Sequence, residues 1–73
     1  MSKYIGLLKP DSKKFLMAMA EAEMNPKELA AAAGISVNFV YQIRRGKYTK
    51  PKYIGACCHA LKVSVEDVIE SED

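Results

Sequence analysis

The segment NPKELAAAAGISVNFVYQIRRG, residues 25–46, constrains the fold more than any other part of this chain. Asn25 is a good helix cap, and Pro26 suits the first helical position because it has no amide hydrogen to leave unpaired. Gly34 can end the helix at little steric cost because glycine reaches positive φ easily. The pattern therefore predicts a short helix over residues 26–33 that ends in a glycine turn.

A second helix follows this turn. Ser36 can cap it, the helix is predicted to run to about Arg45, and Gly46 is the residue that stops it. Val40 and Ile43 are three residues apart, so they fall on one side of a helix. We predict that they face the core and fix the direction in which the rest of the helix points.

The opposite side of this helix carries polar side chains. At about 100° per residue, Asn38 and Arg45 lie opposite the buried direction, with Tyr41 and Gln42 on either side and Val37 on a flank. Asn and Gln can pair with adenine through two hydrogen bonds, and Arg can pair with guanine or phosphate. Each of these residues taken singly would be an ordinary surface residue. Together they are typical of a helix that reads the edge of a DNA duplex.

Phe39 lies on the other flank of the same helix, and the pattern leaves two interpretations of it open. The ring either belongs to the edge of the core or forms part of a contact surface, where it could pack on a thymine methyl group.

Charge is unevenly distributed around a net value of +2. Residues 66–73 contain five acidic residues and no basic one, whereas residues 29–65 contain six basic residues and no acid. The six basic residues are Arg44, Arg45, Lys47, Lys50, Lys52 and Lys62. A charge run alone could be a solvated surface, but this one coincides with the predicted reading helix and the stretch KYTKP after it. The coincidence favours a polyanionic partner.

The remaining elements are also predicted to be helical. Pro10, Asp11 and Ser12 begin a helix that runs to about Glu23, and Pro51 opens another. Ser64 and Asp67 form a capping pair for a further helix, in which Val65, Val68 and Ile69 supply apolar contacts. The sequence therefore predicts an all-α chain of five short helices without a strand.

Length and composition exclude several classes of protein. Seventy-three residues allow one small domain, and no apolar run approaches the roughly 20 residues that span a bilayer. The first ten residues are too weakly apolar for a secretory signal, so we expect a cytoplasmic protein. Cys57, Cys58 and His59 are consecutive, and on a helix they would point about 100° apart, which is unsuited to binding one metal ion. We interpret them as two core thiols and an exposed histidine.

At these residues the chain resembles the Cro/C1-type helix-turn-helix family, which includes phage repressors and many small bacterial regulators. The matching stretches are ELA-x₃-G-I-S from Glu28 to Ser36 and V-x-x-I-x-x-G from Val40 to Gly46. The resemblance covers about residues 15–69. It implies a lambda-repressor-like five-helix bundle, with the helix-turn-helix at helices two and three, in a bacterial or phage-encoded protein. Residues 11–70 would form this domain, residues 1–10 a leader and residues 71–73 an acidic tail.

The resemblance also implies which residues bind DNA. Base contacts in the family map to Val37, Asn38 and Gln42, and the helical wheel adds Tyr41. Family phosphate contacts fall near the start of helix two and in the loop after helix three, and the lysines there suit phosphates, which position the protein without specifying sequence. The candidate phosphate-contacting residues are Lys27, Ser36, Arg45, Lys47, Thr49, Lys50 and Lys52.

Three departures from the family pattern accompany this resemblance. Many members pair a glutamate at the position of Arg44 with an arginine at the position of Met19, so a buried ion pair is replaced here. Pro26 stands where a phosphate-binding glutamine is frequent, which leaves that role to Lys27. The leader, with Tyr4, Ile5, Leu7 and Leu8, has no counterpart; it could pack on the domain, pair in a dimer or be loose.

The leading hypothesis is a sequence-specific DNA-binding transcriptional regulator, a repressor that binds a palindromic operator of double-stranded DNA as a homodimer. We expect no cofactor, metal, small-molecule ligand or membrane partner. The alternative is an antitoxin or other protein-interaction module in which DNA binding is secondary. An enzyme is the weakest hypothesis, because the single histidine adjoins two core cysteines and no phosphate-binding glycine loop is present.

Overall fold

The computed structural model describes residues 6–70, and its helices bear out the all-α prediction. Within that range there is no strand, and no helix is both long and apolar enough to cross a membrane. The helix over residues 26–33 has the bounds that the sequence predicted. The elements are α1 (Ser12–Ala22), α2 (Pro26–Ala33), α3 (Val37–Arg44), α4 (Pro51–Leu61) and a 3₁₀ helix (Val65–Asp67).

The prediction of five helices is wrong, because the described residues contain four α-helices. The fifth is replaced by the single 3₁₀ turn, in which the Ser64 amide donates to the Asp67 carboxylate at 3.0 Å. Beyond the turn the backbone pairs with the N-terminal side of the chain. The Val68 carbonyl accepts from the Asp11 amide at 2.7 Å, and the Glu70 amide donates to the Lys9 carbonyl at 2.9 Å. An extended pairing of this kind is incompatible with continuing the helix.

The ends of the helices show how local sequence fixes their bounds. Asn25 and Glu28 form a reciprocal capping box at the start of α2, with both hydrogen bonds at 2.8 Å. Three helices end on a left-handed residue: Glu23 after α1 (φ 57), Gly34 after α2 (φ 72) and Lys62 after α4 (φ 61). Only one of these three positions is glycine, the residue that adopts this conformation without strain.

The core lies where the four helices meet. α2 packs against α3 and α4, and α1 packs against α3. Val40 and Ile43 of α3 are fully buried, as predicted. The other buried apolar side chains are Phe15, Ala18, Met19, Leu29, Ala30, Ile54, Cys57, Cys58, Leu61 and Val68.

Residues 7–10, the N-terminal segment, are attached to the domain at both sides. Leu8 and Thr49 form an antiparallel bridge, as do Pro10 and Ile69. Pro10 is buried. The segment therefore lies between the loop that follows α3 and the end of the domain. Tyr4 and Ile5 of the predicted leader lie outside the described residues.

The left-handed helix ends generate a stability prediction. Glu23→Gly should raise the free energy of unfolding by about 0.5–1 kcal/mol, because the strain of positive φ exceeds the extra flexibility of glycine in the unfolded chain. Gly34→Ala should lower it by about 1 kcal/mol for the converse reason. Urea denaturation measures both. Two changes of the same sign would contradict this account.

Candidate nucleic-acid interface

The outward face of α3 is set by its two buried residues, Val40 and Ile43. With these side chains in the core, Asn38 and Arg45 are exposed, and Tyr41 is 37% exposed. An amide near the start of α3, a phenol within it and a guanidinium directly after it thus share one solvent-facing side. These groups can form hydrogen bonds with base edges and phosphates.

Gln42 and Val37 lie at the margins of this face and are half-buried. The Gln42 side-chain amide donates to the Tyr48 carbonyl at 3.3 Å and to the Thr49 hydroxyl at 3.4 Å. Both bonds are long for N–H···O hydrogen bonds, so they are weak. Gln42 therefore connects α3 to residues 45–50, the basic loop, and pairing with adenine in two bonds would compete with these contacts.

Thr49 is buried, unlike the other candidate phosphate contacts. It is only 1% exposed, and its hydroxyl donates to the Lys47 carbonyl at 2.8 Å. Its backbone pairs with Leu8 through two hydrogen bonds of 2.9 Å. The hydroxyl is therefore enclosed within the loop, and we leave it out of the surface that could meet a phosphate.

The remaining candidate phosphate contacts are all exposed, and they lie at four places before and after α3 in the chain. Lys27 is in the first turn of α2, and Ser36 caps α3 by accepting from the Asn38 amide at 3.3 Å. The others follow α3, in the basic loop and at the start of α4. The exposed candidates are Lys27, Ser36, Arg45, Lys47, Lys50 and Lys52.

Phe39 belongs to an aromatic pair between α3 and α4. Its ring stacks on Tyr53 with 3.8 Å between the centroids and 11° between the planes, and both residues are half-buried. The Lys52 ammonium lies 6.0 Å from the Tyr53 centroid. The pair therefore joins the core edge to the positively charged start of α4, so it combines features of both sequence interpretations.

Arg44 and Met19 are the two positions at which the resemblance implied a replaced ion pair. Met19 is buried in the core, and Arg44 is half-buried. The Arg44 Nε is shielded from solvent and has no hydrogen-bond partner among the described residues. Met19 is thus an apolar residue of the core, whereas Arg44 is a cation. Within the described part of the chain, no acceptor bonds to the Nε of Arg44.

Lys9 and Ser12, which the sequence did not predict as part of this site, contact the C-terminal end of α3 and the turn after it. The Lys9 ammonium donates to the Gly46 carbonyl, and the Ser12 hydroxyl donates to the Arg44 carbonyl. Carbonyls at the end of a helix lack partners within the helix, and a cation there is favoured by the helix dipole. No local pattern could reveal these contacts, since Lys9 and Gly46 are 37 residues apart in sequence.

Comparison with known families decides the class of this domain. The family profile for the Cro/C1-type HTH DNA-binding domain matches residues 14–73. The chain belongs to this family. The match covers the outward face of α3, the basic loop and α4, so the resemblance stated from the sequence is confirmed.

A solved structure supports the same fold. The Cro/C1-type domain described here is similar to the crystal structure of the transcriptional regulator VanUg, Form II, with a TM-score of 0.72. Sequence identity is 20%, and the likeness covers 96% of this chain and 93% of that chain. No curated protein sequence matches significantly.

The two cysteines of this Cro/C1-type domain are core residues, as predicted. Cys57 and Cys58 are buried, whereas His59 is exposed, so the triplet does not converge. Burial raises the pKa of Cys57 to about 12, with a further contribution from Cys58. Burial also raises the pKa of Cys58 to about 11, assisted by the negative charge of Asp67. The thiols are therefore poor nucleophiles and poor metal ligands in the folded state.

The raised pKa values predict how stability depends on pH. Both folded-state pKa values lie above the ordinary thiol pKa of 9.0. The neutral, buried thiols therefore contribute their full stabilisation to the folded state below about pH 9, and this contribution is lost as pH rises towards 11–12. Between about pH 8 and pH 10, the protein should lose about 2 kcal/mol more unfolding free energy than the Cys57→Ala/Cys58→Ala variant. Urea titrations at both pH values measure this, and other groups cancel in the comparison. Equal losses would contradict the burial of the thiols.

Proposed function

We propose that this Cro/C1-type protein is a sequence-specific transcriptional regulator that inserts α3 into the major groove of DNA. The observation that carries the proposal is the exposure of Asn38, Tyr41 and Arg45 on one side of α3, with exposed lysines before this helix in the chain and after it. Side chains of this kind can recognise base edges, and lysines beside them can bind the phosphates that border the groove.

The proposed base contacts are Val37, Asn38, Tyr41 and Gln42. Among these, Asn38 is the strongest candidate for reading a base, because it is exposed and its side-chain amide makes no hydrogen bond within the described residues, while its backbone amide donates to Ser36. The Gln42 amide would share its hydrogens between a base and the basic loop. We therefore assign Gln42 a double role, in which a base contact and the position of the loop depend on each other.

The proposed mode of action is repression by a homodimer on a palindromic operator. Two copies related by a two-fold axis would place their reading helices in successive major grooves, about 34 Å apart. Binding would then exclude polymerase without any chemical change in the DNA. Selection of bound duplexes from a randomised pool tests the proposal, and an enriched motif with two inverted half-sites is the expected result.

The alternative is a protein-interaction module, such as an antitoxin, in which DNA binding is secondary. The observation that favours it is an exposed apolar pair on α1, Leu16 at 46% and Met17 at 54% exposure. Adjacent exposed apolar side chains are typical of contact surfaces when they form part of a larger patch. Absence of any enriched motif at modest salt would support this alternative and refute sequence-specific reading.

Substitutions separate base reading from phosphate binding. Asn38→Ala should reduce discrimination at one base pair per half-site by about 1–3 kcal/mol. Lys50→Ala should weaken binding to all sequences and make the dependence of log affinity on log salt less steep by about one unit for each phosphate that the protein no longer neutralises. Fluorescence anisotropy with matched and mismatched duplexes at several salt concentrations measures both effects.

The matched control is Lys14→Ala. Lys14 is exposed on α1 and lines a groove with Val63 and Asp67, so the variant removes one positive charge elsewhere on the domain. It should leave motif and salt dependence unchanged. If Asn38→Ala and Lys50→Ala behave alike, the division of roles is wrong.

A further inference from the structure

We propose that Lys9 is a positioning residue for DNA binding: it holds the basic loop in its binding conformation without itself touching DNA. The inference rests on the proposed function and deepens it. The N-terminal segment lies outside the matched residues 14–73, so the family assignment does not account for it. Its contacts lie at the turn where α3 ends and in the basic loop, whose lysines would bind phosphates under the proposed function.

The first contact is between backbones. The Leu8 amide donates to the Thr49 carbonyl and the Thr49 amide donates to the Leu8 carbonyl, both at 2.9 Å. Thr49 is buried, and its hydroxyl bonds the Lys47 carbonyl. The pairing therefore fixes the basic loop at Thr49, which lies between Lys47 and Lys50 in the sequence.

The second contact is the Lys9 ammonium itself. It donates to the Gly46 carbonyl, at the turn where α3 ends, and it lies 5.8 Å from the centroid of the Tyr48 ring. The ammonium is also 3.4 Å from the site that a Cβ at Gly46 would occupy. One cation thus contacts the first residues of the loop and complements the negative end of the helix dipole.

The third contact is between the Lys9 ammonium and Glu70. The Lys9 ammonium is 3.7 Å from the Glu70 carboxylate, and the Glu70 amide donates to the Lys9 carbonyl at 2.9 Å. The Lys9 side chain thus connects Glu70 to Gly46, and through it the C-terminal part of the domain restrains the basic loop. Lys9 already has these partners, which is why we assign it a positioning role instead of a phosphate contact.

Apart from the Leu8–Thr49 pairing, the loop needs the Lys9 contact because its hydrogen bonds to Gln42 of α3 are weak. The Gln42 side chain contributes two long hydrogen bonds at 3.3 and 3.4 Å, and its carbonyl accepts from the Lys47 amide at 3.2 Å, the long end of the usual range. A binding-competent loop that is only partly populated lowers the apparent affinity in proportion. Removing the Lys9 cation should therefore reduce affinity for every DNA sequence while the set of phosphates that the protein neutralises stays the same.

The test compares Lys9→Met with Lys14→Met, which removes the same charge from an exposed position on α1. Lys9→Met should weaken binding to all duplexes about fivefold relative to Lys14→Met, with the same motif and the same salt slope. Lys9→Arg, which keeps a cation and several donors, should restore most of the affinity. A salt slope reduced by about one unit would show that Lys9 contacts a phosphate directly, and it would overturn the proposal.

Hydrogen exchange in the DNA-free protein provides an independent measurement. In Lys9→Met the amides of Lys47 and Thr49 should exchange faster, whereas amides within α2 should be unchanged. Unchanged exchange in the loop would refute the positioning role even if affinity falls. If the native protein binds no DNA, the proposed function fails, but the exchange data still decide whether Lys9 holds the loop. A general loss of protection or a lowered unfolding midpoint in Lys9→Met would assign Lys9 to global stability and likewise refute the proposal.

Discussion

The burial of Val40 and Ile43 against α2 is the constraint on which the rest of the molecule depends. Both side chains are fully enclosed in the cluster that includes Leu29, so α3 cannot rotate about its axis without exposing apolar surface. This single restriction decides which residues of an eight-residue helix meet solvent. A small domain with a thin core can therefore display a fixed set of polar groups, provided that the few core contacts are well packed.

Local signals in the sequence were sufficient for the helices but not for the end of the domain. Caps and glycines act within one turn, so the bounds of α2 and the turn after it follow from a few neighbouring residues. The capping pair at Ser64 is equally local and does form a turn. What prevents a full helix there is backbone pairing with Lys9 and Asp11, residues at the opposite end of the sequence. Helix propensity depends on neighbouring residues, so it cannot predict competing hydrogen bonds to residues so distant in sequence.

The candidate interface likewise has a part that the sequence could predict and a part that it could not. Helical periodicity sufficed to place Asn38 and Arg45 outward, because exposure on a helix follows from the position of its buried residues. The burial of Thr49 and the contacts of Gln42 could not be predicted, since both arise where the loop folds back between α3 and the N-terminal segment. Phe39 remained ambiguous because its partner, Tyr53, belongs to another helix. Whether these residues contact DNA remains a prediction.

The meeting of the two ends of the domain has a consequence for folding. Bringing Lys9 to Glu70 closes almost the entire chain into one ring, and the entropy lost in closing a ring grows with its length. The contacts between α2 and α3, in contrast, join neighbours in sequence and form quickly. We therefore expect the helical core to assemble first and the basic loop to reach its final order last. The part of the chain best suited to meet DNA would then be the last to become native.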